Sequence, residues 1–560
     1  MKIKPFYRLI LLALLFSVHQ PVQAQQYTRQ DTLRGANGPN RAWWDLVYYH
    51  LNVRVFPDQQ SISGENIMKF VALKEGQTLQ IDLQAPMQLT RVAQHGDNLK
   101  VTAIGNAYMV QLPKVMKAGE QGQLSLFFEG QPPVAKNPPW DGGFVWSKDS
   151  VSQKQPKHFI ASACQGEGAS LWWPCKDFPA DEVDSMDISI TVPSGLMDVS
   201  NGQLVEVNKN RKTKTTTYHW QVKNPINNYG VNINVADYAS FDEIYDGEKG
   251  PLHCSYYVLK SDLQKAKRQF QQVPKMLKAL EHWFGPYPFY EDGFKLVQTP
   301  YLGMEHQSSV TYGNGFKNGY KGTDLSGTGW GQTFDFIIVH EAGHEWFANN
   351  ITNKDVADMW IHEGFTTYSE ALYVEYYEGK EACDEYMRGI RSRILNDRPV
   401  IGHYGVNEEG SGDMYVKGAC MLHTLRQIVN DDALWRSMLR GMNETFYHQT
   451  VSAAQIEGYM ATKTGLELKP FFDQYLRTTQ IPVMEYEIQD GYLNYRWTNC
   501  VADFNMPIAL SIGGDSMILD ASKKWHSLKL PNAEVSVEIN QNLLIGQQFN
   551  GRFDNAAHQQ

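Results

Sequence analysis

Two histidines four residues apart enclose a glutamate in the run His340-Glu341-Ala342-Gly343-His344. On a helix, residues i and i+4 share a face, so both imidazoles can ligate one metal ion. Glu341 lies one residue from His340 and three from His344, near enough to hold a metal-bound water and take its proton. H-E-x-x-H on a helix supplies two zinc ligands and a general base. The third ligand decides the class. A third histidine in the extended pattern requires Gly at 347 and His at 350; Phe347 and Asn350 stand there instead. Glu363 follows His344 after 18 intervening residues, past a polar loop at 349–358 and inside the first turn of a new helix. A helix–loop–helix of that length can return a carboxylate to the first helix. Two His and one Glu leave one position open, the ligand set of a catalytic zinc site. One Zn²⁺ per chain on His340, His344 and Glu363 is therefore expected.

The surrounding periodicity says what must hold these residues. From 45 to about 240 the pattern has period two. Tyr48-Tyr49-His50-Leu51-Asn52-Val53 alternates as half-buried strands do, and Leu124, Leu126 and Phe128 share a face. From Ser261 the period becomes helical through Leu263, Ala266, Phe270, Val273, Leu277 and Leu280. Ser261 is the expected N-cap, and Pro274 is expected to kink that helix. Further helices are expected over 334–349, 361–377, 414–429 and 470–477, with some strand between 294 and 313. After Ile481-Pro482 strand patterns return at 485–488, 492–497 and 535–539. The expected class is α+β multidomain: a β-rich region at 25–240, a mostly helical one at 241–480 and a small β region at 481–560.

Composition narrows the function. The 560 residues carry 51 Lys+Arg against 61 Asp+Glu, a net charge of −10. An acidic chain lacks the phosphate-neutralising surplus of a nucleic-acid binder. Residues 1–24 read as an export signal, with Lys2, Lys4 and Arg8 before a ten-residue apolar run and Val22-Gln23-Ala24 as the cleavage site. Ten apolar residues are too few to span a bilayer, so no stable membrane span is expected after cleavage. The location implied is exported, periplasmic or secreted. The six cysteines form no C-x-x-C pair, which disfavours a thiolate zinc site. They are expected to be buried as small hydrophobes.

The motifs as a set resemble those of the M1 zinc aminopeptidases, a gluzincin family that includes the bifunctional leukotriene hydrolase/aminopeptidase. His340-Glu341-x-x-His344 and Trp360-Ile361-His362-Glu363-Gly364-Phe365 carry the resemblance. Three further segments fall in family order. Gly303-Met304-Glu305-His306 is similar to the exopeptidase motif G-x-M-E-N, and Tyr415-Val416-Lys417-Gly418-Ala419 to a Y-x-K-G-A segment. Cys164-Gln165 with Pro174-Cys175-Lys176-Asp177 is similar to the N-domain segment that reaches the active site. The likeness spans roughly 48–476.

The resemblance implies a saddle-like N-terminal β domain, a thermolysin-like catalytic domain and peptide substrates with a free N-terminus. Glu341 becomes the general base and Tyr415 the oxyanion donor. Gly303, Met304 and Glu305 line the substrate. Glu305 holds the α-ammonium as a charge-assisted pair, and Gln165 adds an amide oxygen. There are departures. His306 replaces the family Asn, with a protonated imidazole expected to compete for Glu305 at low pH. Leu302 stands where the family often has Gly. His362 replaces another Asn and is expected to be exposed. Only about 80 residues follow Gln480 and read as strands, where many members have a helical domain; a more open cleft is the consequence. An epoxide hydrolase is the alternative enzyme and a dead peptide-binding member the alternative class. The oligomeric state stays open.

Overall fold

The computed structural model describes residues 27–149, 156–532, 535–549 and 552–554; the expected export signal at 1–24 lies outside them. A short helix, α1 (Arg29–Gly35), precedes an eight-stranded sheet. At its centre Trp44–Phe56 pairs antiparallel with Ser61–Ala72 and parallel with Ser185–Pro193. The period-two pattern reappears as alternating burial along Trp44–Phe56. A four-stranded sheet, which includes Lys157–Ala163, and a three-stranded one complete this region around its own apolar core.

A five-stranded mixed sheet starts at Tyr238–Gly247 and runs through Gly250–Leu259, Phe294–Gln298 and Val310–Tyr312 to the edge strand Gly303–Met304. Helices then dominate: α2 (Leu263–Gln269), α3 (Gln272–Phe284), α4 (Phe336–Gly343), α5 (Trp360–Glu378), α6 (Lys380–Ile390), α7 (Val416–Val429), α8 (Asp432–Thr445), α9 (Ala453–Thr464) and α10 (Lys469–Arg477). Two smaller sheets follow, including Val483–Gln489, Tyr492–Thr498 and Val537–Ile539. They share one apolar core with the helices; Tyr475 Oη on α10 donates to the Leu544 carbonyl at 2.8 Å.

Local expectations need correction. The single helix after Ser261 is two. The chain breaks at Phe270-Gln271, and Pro274 falls in the first turn of α3, where a missing N–H forfeits no helical bond. Asp262, not Ser261, precedes α2 at the cap position, without a side-chain cap. The helix expected over 334–349 stops at Gly343. The backbone then turns, with Ala348 at φ +149°, and leaves the Phe347 carbonyl as an acceptor for His344 Nδ1 at 3.0 Å. Helices α1, α6, α8 and α9 have no counterpart among the expected elements. α8 is capped by Asp431, whose carboxylate accepts from Leu434 N, and α9 by a Ser452/Gln455 capping box. All six cysteines are free thiols, five of them buried. Among the described residues no helix is long and apolar enough to cross a membrane.

Candidate active site

His340 and His344 project from the end of α4 toward the first turn of α5. His340 Nδ1 donates to Glu370 Oε1 at 2.7 Å, and Tyr386 Oη donates to Glu370 Oε2 at 2.5 Å. His344 Nδ1 lies 3.0 Å from both the Phe347 carbonyl and Thr366 Oγ1. These bonds fix both tautomers and leave each Nε2 as a lone-pair donor. The two Nε2 atoms converge on Glu363 Oε2, 3.7 Å from His340 and 3.3 Å from His344. The other oxygen, Glu363 Oε1, accepts from Gln165 Nε2 at 2.8 Å. Although burial raises the Glu363 carboxyl, His344 and His340 hold it well below the usual range.

The trio fits zinc. Bonds of about 2.0–2.2 Å in a tetrahedron place ligand atoms about 3.3 Å apart, close to the spacings found. Glu363 Oε2 is buried without a hydrogen-bond partner, as a ligand atom should be. A second trio, Cys383, Asp384 and His423, also gathers ligand-type atoms. There Arg426 lies near Cys383 and Asn542 Nδ2 already donates to Asp384 Oδ2.

Glu341, Glu305 and His344 each offer an atom within 4.8 Å of the others. Burial pushes the Glu341 carboxyl up to about 7, with His340 pulling the other way; a general base works best near such a value. Glu305 is 1% exposed, yet its Oε1 has no hydrogen-bond partner. Its backbone carbonyl is pinned by Asn349 Nδ2 at 2.8 Å. Gly303 lies directly over α4: a Cβ there would meet Ile337 Cγ2 at 2.7 Å and Glu341 Cγ at 3.2 Å. Met304 packs with Ala161, Ala163 and Tyr301, which joins this strand to the N-terminal strand Lys157–Ala163 that leads into the turn with Gln165. Tyr415 heads α7 with its ring stacked on His340, centroids 6.2 Å apart. Burial, reinforced by Glu363, raises its phenol far above the ordinary value, so the hydroxyl keeps its proton. α5 and α7 touch backbone to backbone, since a Cβ on Gly418 would lie 3.0 Å from Gly364 Cα.

All nine expected site residues thus surround one point. Two expectations about their neighbours fail. His306 is fully buried, burial lowers its pKa to about 3, and its Nδ1 lies 3.4 Å from Thr311 Oγ1; it stays neutral and does not compete for Glu305. His362 is buried rather than exposed, its Nε2 accepting from Asn353 N at 2.9 Å. Gln165 also differs in detail: its amide nitrogen engages Glu363, and its oxygen has no partner among the described residues. Sequence reasoning missed Glu370, Thr366, Tyr386 and Tyr229. Glu370 had a signal, because it lies two helical turns after Glu363 and therefore on the same face. Tyr229, whose buried hydroxyl lies near Glu305 without a hydrogen bond of normal geometry, had none.

A helix-borne His-His-Glu site with a buried carboxylate beside it, under a β-rich N-terminal domain, defines a metallopeptidase architecture. The models of the Peptidase family M1 domain and the Peptidase M1 N-terminal domain match residues 268–475 and 46–229, and the chain belongs to peptidase family M1. Among curated relatives, a probable aminopeptidase 1 of Sulfurisphaera tokodaii is 20% identical over 87% of this chain and 61% of its own length. Aminopeptidase B of Rattus norvegicus is 23% identical over 77% and 68%. The chain thus spans about three fifths of the first of these. The solved M1 zinc metallopeptidase of Deinococcus radiodurans superposes with a TM-score of 0.64 at 21% identity, covering 78% of this chain and 94% of that one.

Proposed function

We propose that this protein is a zinc aminopeptidase that removes single residues from the free N-terminus of peptides. The observation that carries the reading is the Glu305 carboxylate, buried and with one oxygen unpartnered, beside the His344 and Glu341 side chains. A buried carboxylate without a mate is costly, and an α-ammonium is the cation that a chain end offers and a chain middle lacks. Gln165 has a free amide oxygen to share it.

His340, His344 and Glu363 would hold the zinc, which supplies an activated water and polarises the scissile carbonyl. Glu341 takes the proton of the attacking water and delivers it to the leaving amine. The Tyr415 hydroxyl donates to the oxygen that becomes negative in the transition state. Ligands, base and donor are all present, which argues against a dead peptide-binding member. Export, to the periplasm or outside the cell, rests on residues 1–24; a protein recovered from cells that begins at Gln25 would support it.

The test is one peptide in free and N-acetylated forms, followed by mass spectrometry with and without a chelator. Stepwise, chelator-sensitive loss from the free form alone is expected. Equal cleavage of both forms, or cuts inside the acetylated chain, would make the enzyme an endopeptidase.

A further inference from the structure

Beyond the residues already assigned, Glu409 packs on the turn that carries on from Gln165 and forms no ion pair among the described residues. The loop at 403–410 docks against the turn that follows Gln165. Asn407 Nδ2 donates to the Gly166 carbonyl at 3.2 Å. Glu409 Oε1 packs so close to Gly166 that a Cβ there would meet it at 2.7 Å, and Gly166 has φ +72°. A glycine at 166 is thus what admits the carboxylate to this spot.

The other charges of the loop are spoken for. Glu408 accepts from Tyr27 Oη and from His403 Nδ1, and Arg398 bonds Glu408 and the Gly410 carbonyl. Glu409 has no hydrogen bond or ion pair among the described residues. Burial and the charges of Glu363, Glu167 and Glu305 push its carboxyl up to about 7, with Arg398 a lesser opposing influence. Its field reaches Tyr415 as well. Glu409 therefore stands beside Gly166, the neighbour of Gln165, whose amide bonds the Glu363 carboxylate.

That is the side where a substrate's first residue must sit if its α-ammonium rests on Glu305 and Gln165. The first side chain leaves from the same Cα as that ammonium. A second, unpaired carboxylate within reach calls for a second cation on a long flexible stem. A guanidinium or a side-chain ammonium fits; an aliphatic side chain of equal length leaves the carboxylate unmatched.

We infer that Glu409 is the specificity residue for the first side chain of the substrate and selects arginine or lysine there. The inference rests on the aminopeptidase reading.

The experiment compares kcat/KM of the zinc-loaded full chain on chromogenic amides of Arg, Lys, norleucine and Leu. Norleucine matches lysine in stem without the charge. A charge-assisted bond in a part-dry site corresponds to about 10–100-fold, so Arg and Lys should exceed norleucine by that factor. Glu409→Gln should bring the Arg-to-norleucine ratio to within about threefold, and Glu409→Asp should keep part of the preference. A wild-type ratio near one would overturn the inference and leave the aminopeptidase reading intact. So would a Glu409→Gln variant that lowers all four substrates equally, since Glu409 would then only brace the Gly166 turn or hold the α-ammonium. No turnover of any of the four would overturn both.

Discussion

Beneath the two imidazoles, each group that steers them is answered. Glu370 and Tyr386 stand behind His340, and the Phe347 carbonyl and Thr366 behind His344. Around the opening the opposite holds: Glu305 Oε1 and the nearby Tyr229 hydroxyl are buried with no hydrogen-bond partner of normal geometry. Folded proteins satisfy nearly all buried polar groups, so the contrast separates parts that position from parts that receive. Distances on the floor set where a metal sits; orphaned oxygens on the rim set what binds next to it.

Variants on the two sides should fail differently. The largest effect is expected from Glu341→Gln, which keeps zinc and loses about 10²–10⁴ in kcat, because an amide cannot accept the water's proton. Metal analysis alongside turnover checks it, and near-normal rates would remove Glu341 from the mechanism. Tyr415→Phe should lower kcat by about 10²–10³ with KM little changed, since the phenol meets charge only in the transition state. A raised KM at constant kcat would place Tyr415 among ground-state contacts instead.

Floor variants should act through the metal. Glu370→Gln is expected to weaken zinc binding about 10–100-fold, measured by competition with a chelator. At saturating zinc much of the activity should return, which no rim variant should show. The smallest effect is on stability. Gly343→Ala forces a Cβ to 2.7 Å from Ser369 Oγ and should cost about 1–3 kcal/mol by overpacking, less the helix preference of alanine over glycine, about 1 kcal/mol. Urea melts would measure it, and adding Ser369→Ala should restore part of the loss. A neutral single substitution would show that the α4–α5 contact yields easily.

The same division explains what could be read from the amino acids alone. Ligands at fixed helical spacing are a one-dimensional pattern, so His340, Glu341, His344 and Glu363 were legible from their spacing. Glu305, Gln165 and Tyr415 were legible only through their likeness to a known family, because nothing in their own neighbourhoods marks them. Strand and helix regions followed from periodicity, while Ser261 and Pro274 misled because the break at Phe270-Gln271 has no local marker. The Asp431 cap and the Ser452/Gln455 pair are local signals that mark the starts of α8 and α9. His362 reads as solvent-facing and His306 as able to take a proton beside Glu305; tertiary packing buries both. Glu409 depends on contact with a turn more than 240 residues away, which no local pattern carries.

The backbone contact between Gly364 and Gly418 bears on how this site can change over generations. Gly364 follows the expected metal ligand Glu363, and Gly418 lies three residues after Tyr415. A Cβ on Gly364 would stand 3.2 Å from the Met414 carbonyl oxygen and 3.3 Å from Gly418 Cα. The gap between ligand and hydroxyl is therefore gauged by two hydrogen atoms. Even the smallest methyl on either helix would wedge them apart and lengthen that gap. Positions 364 and 418 thus behave as one inherited character. Directed-evolution libraries should hold the pair constant and spend their diversity on the rim, where loops can give way without moving the metal.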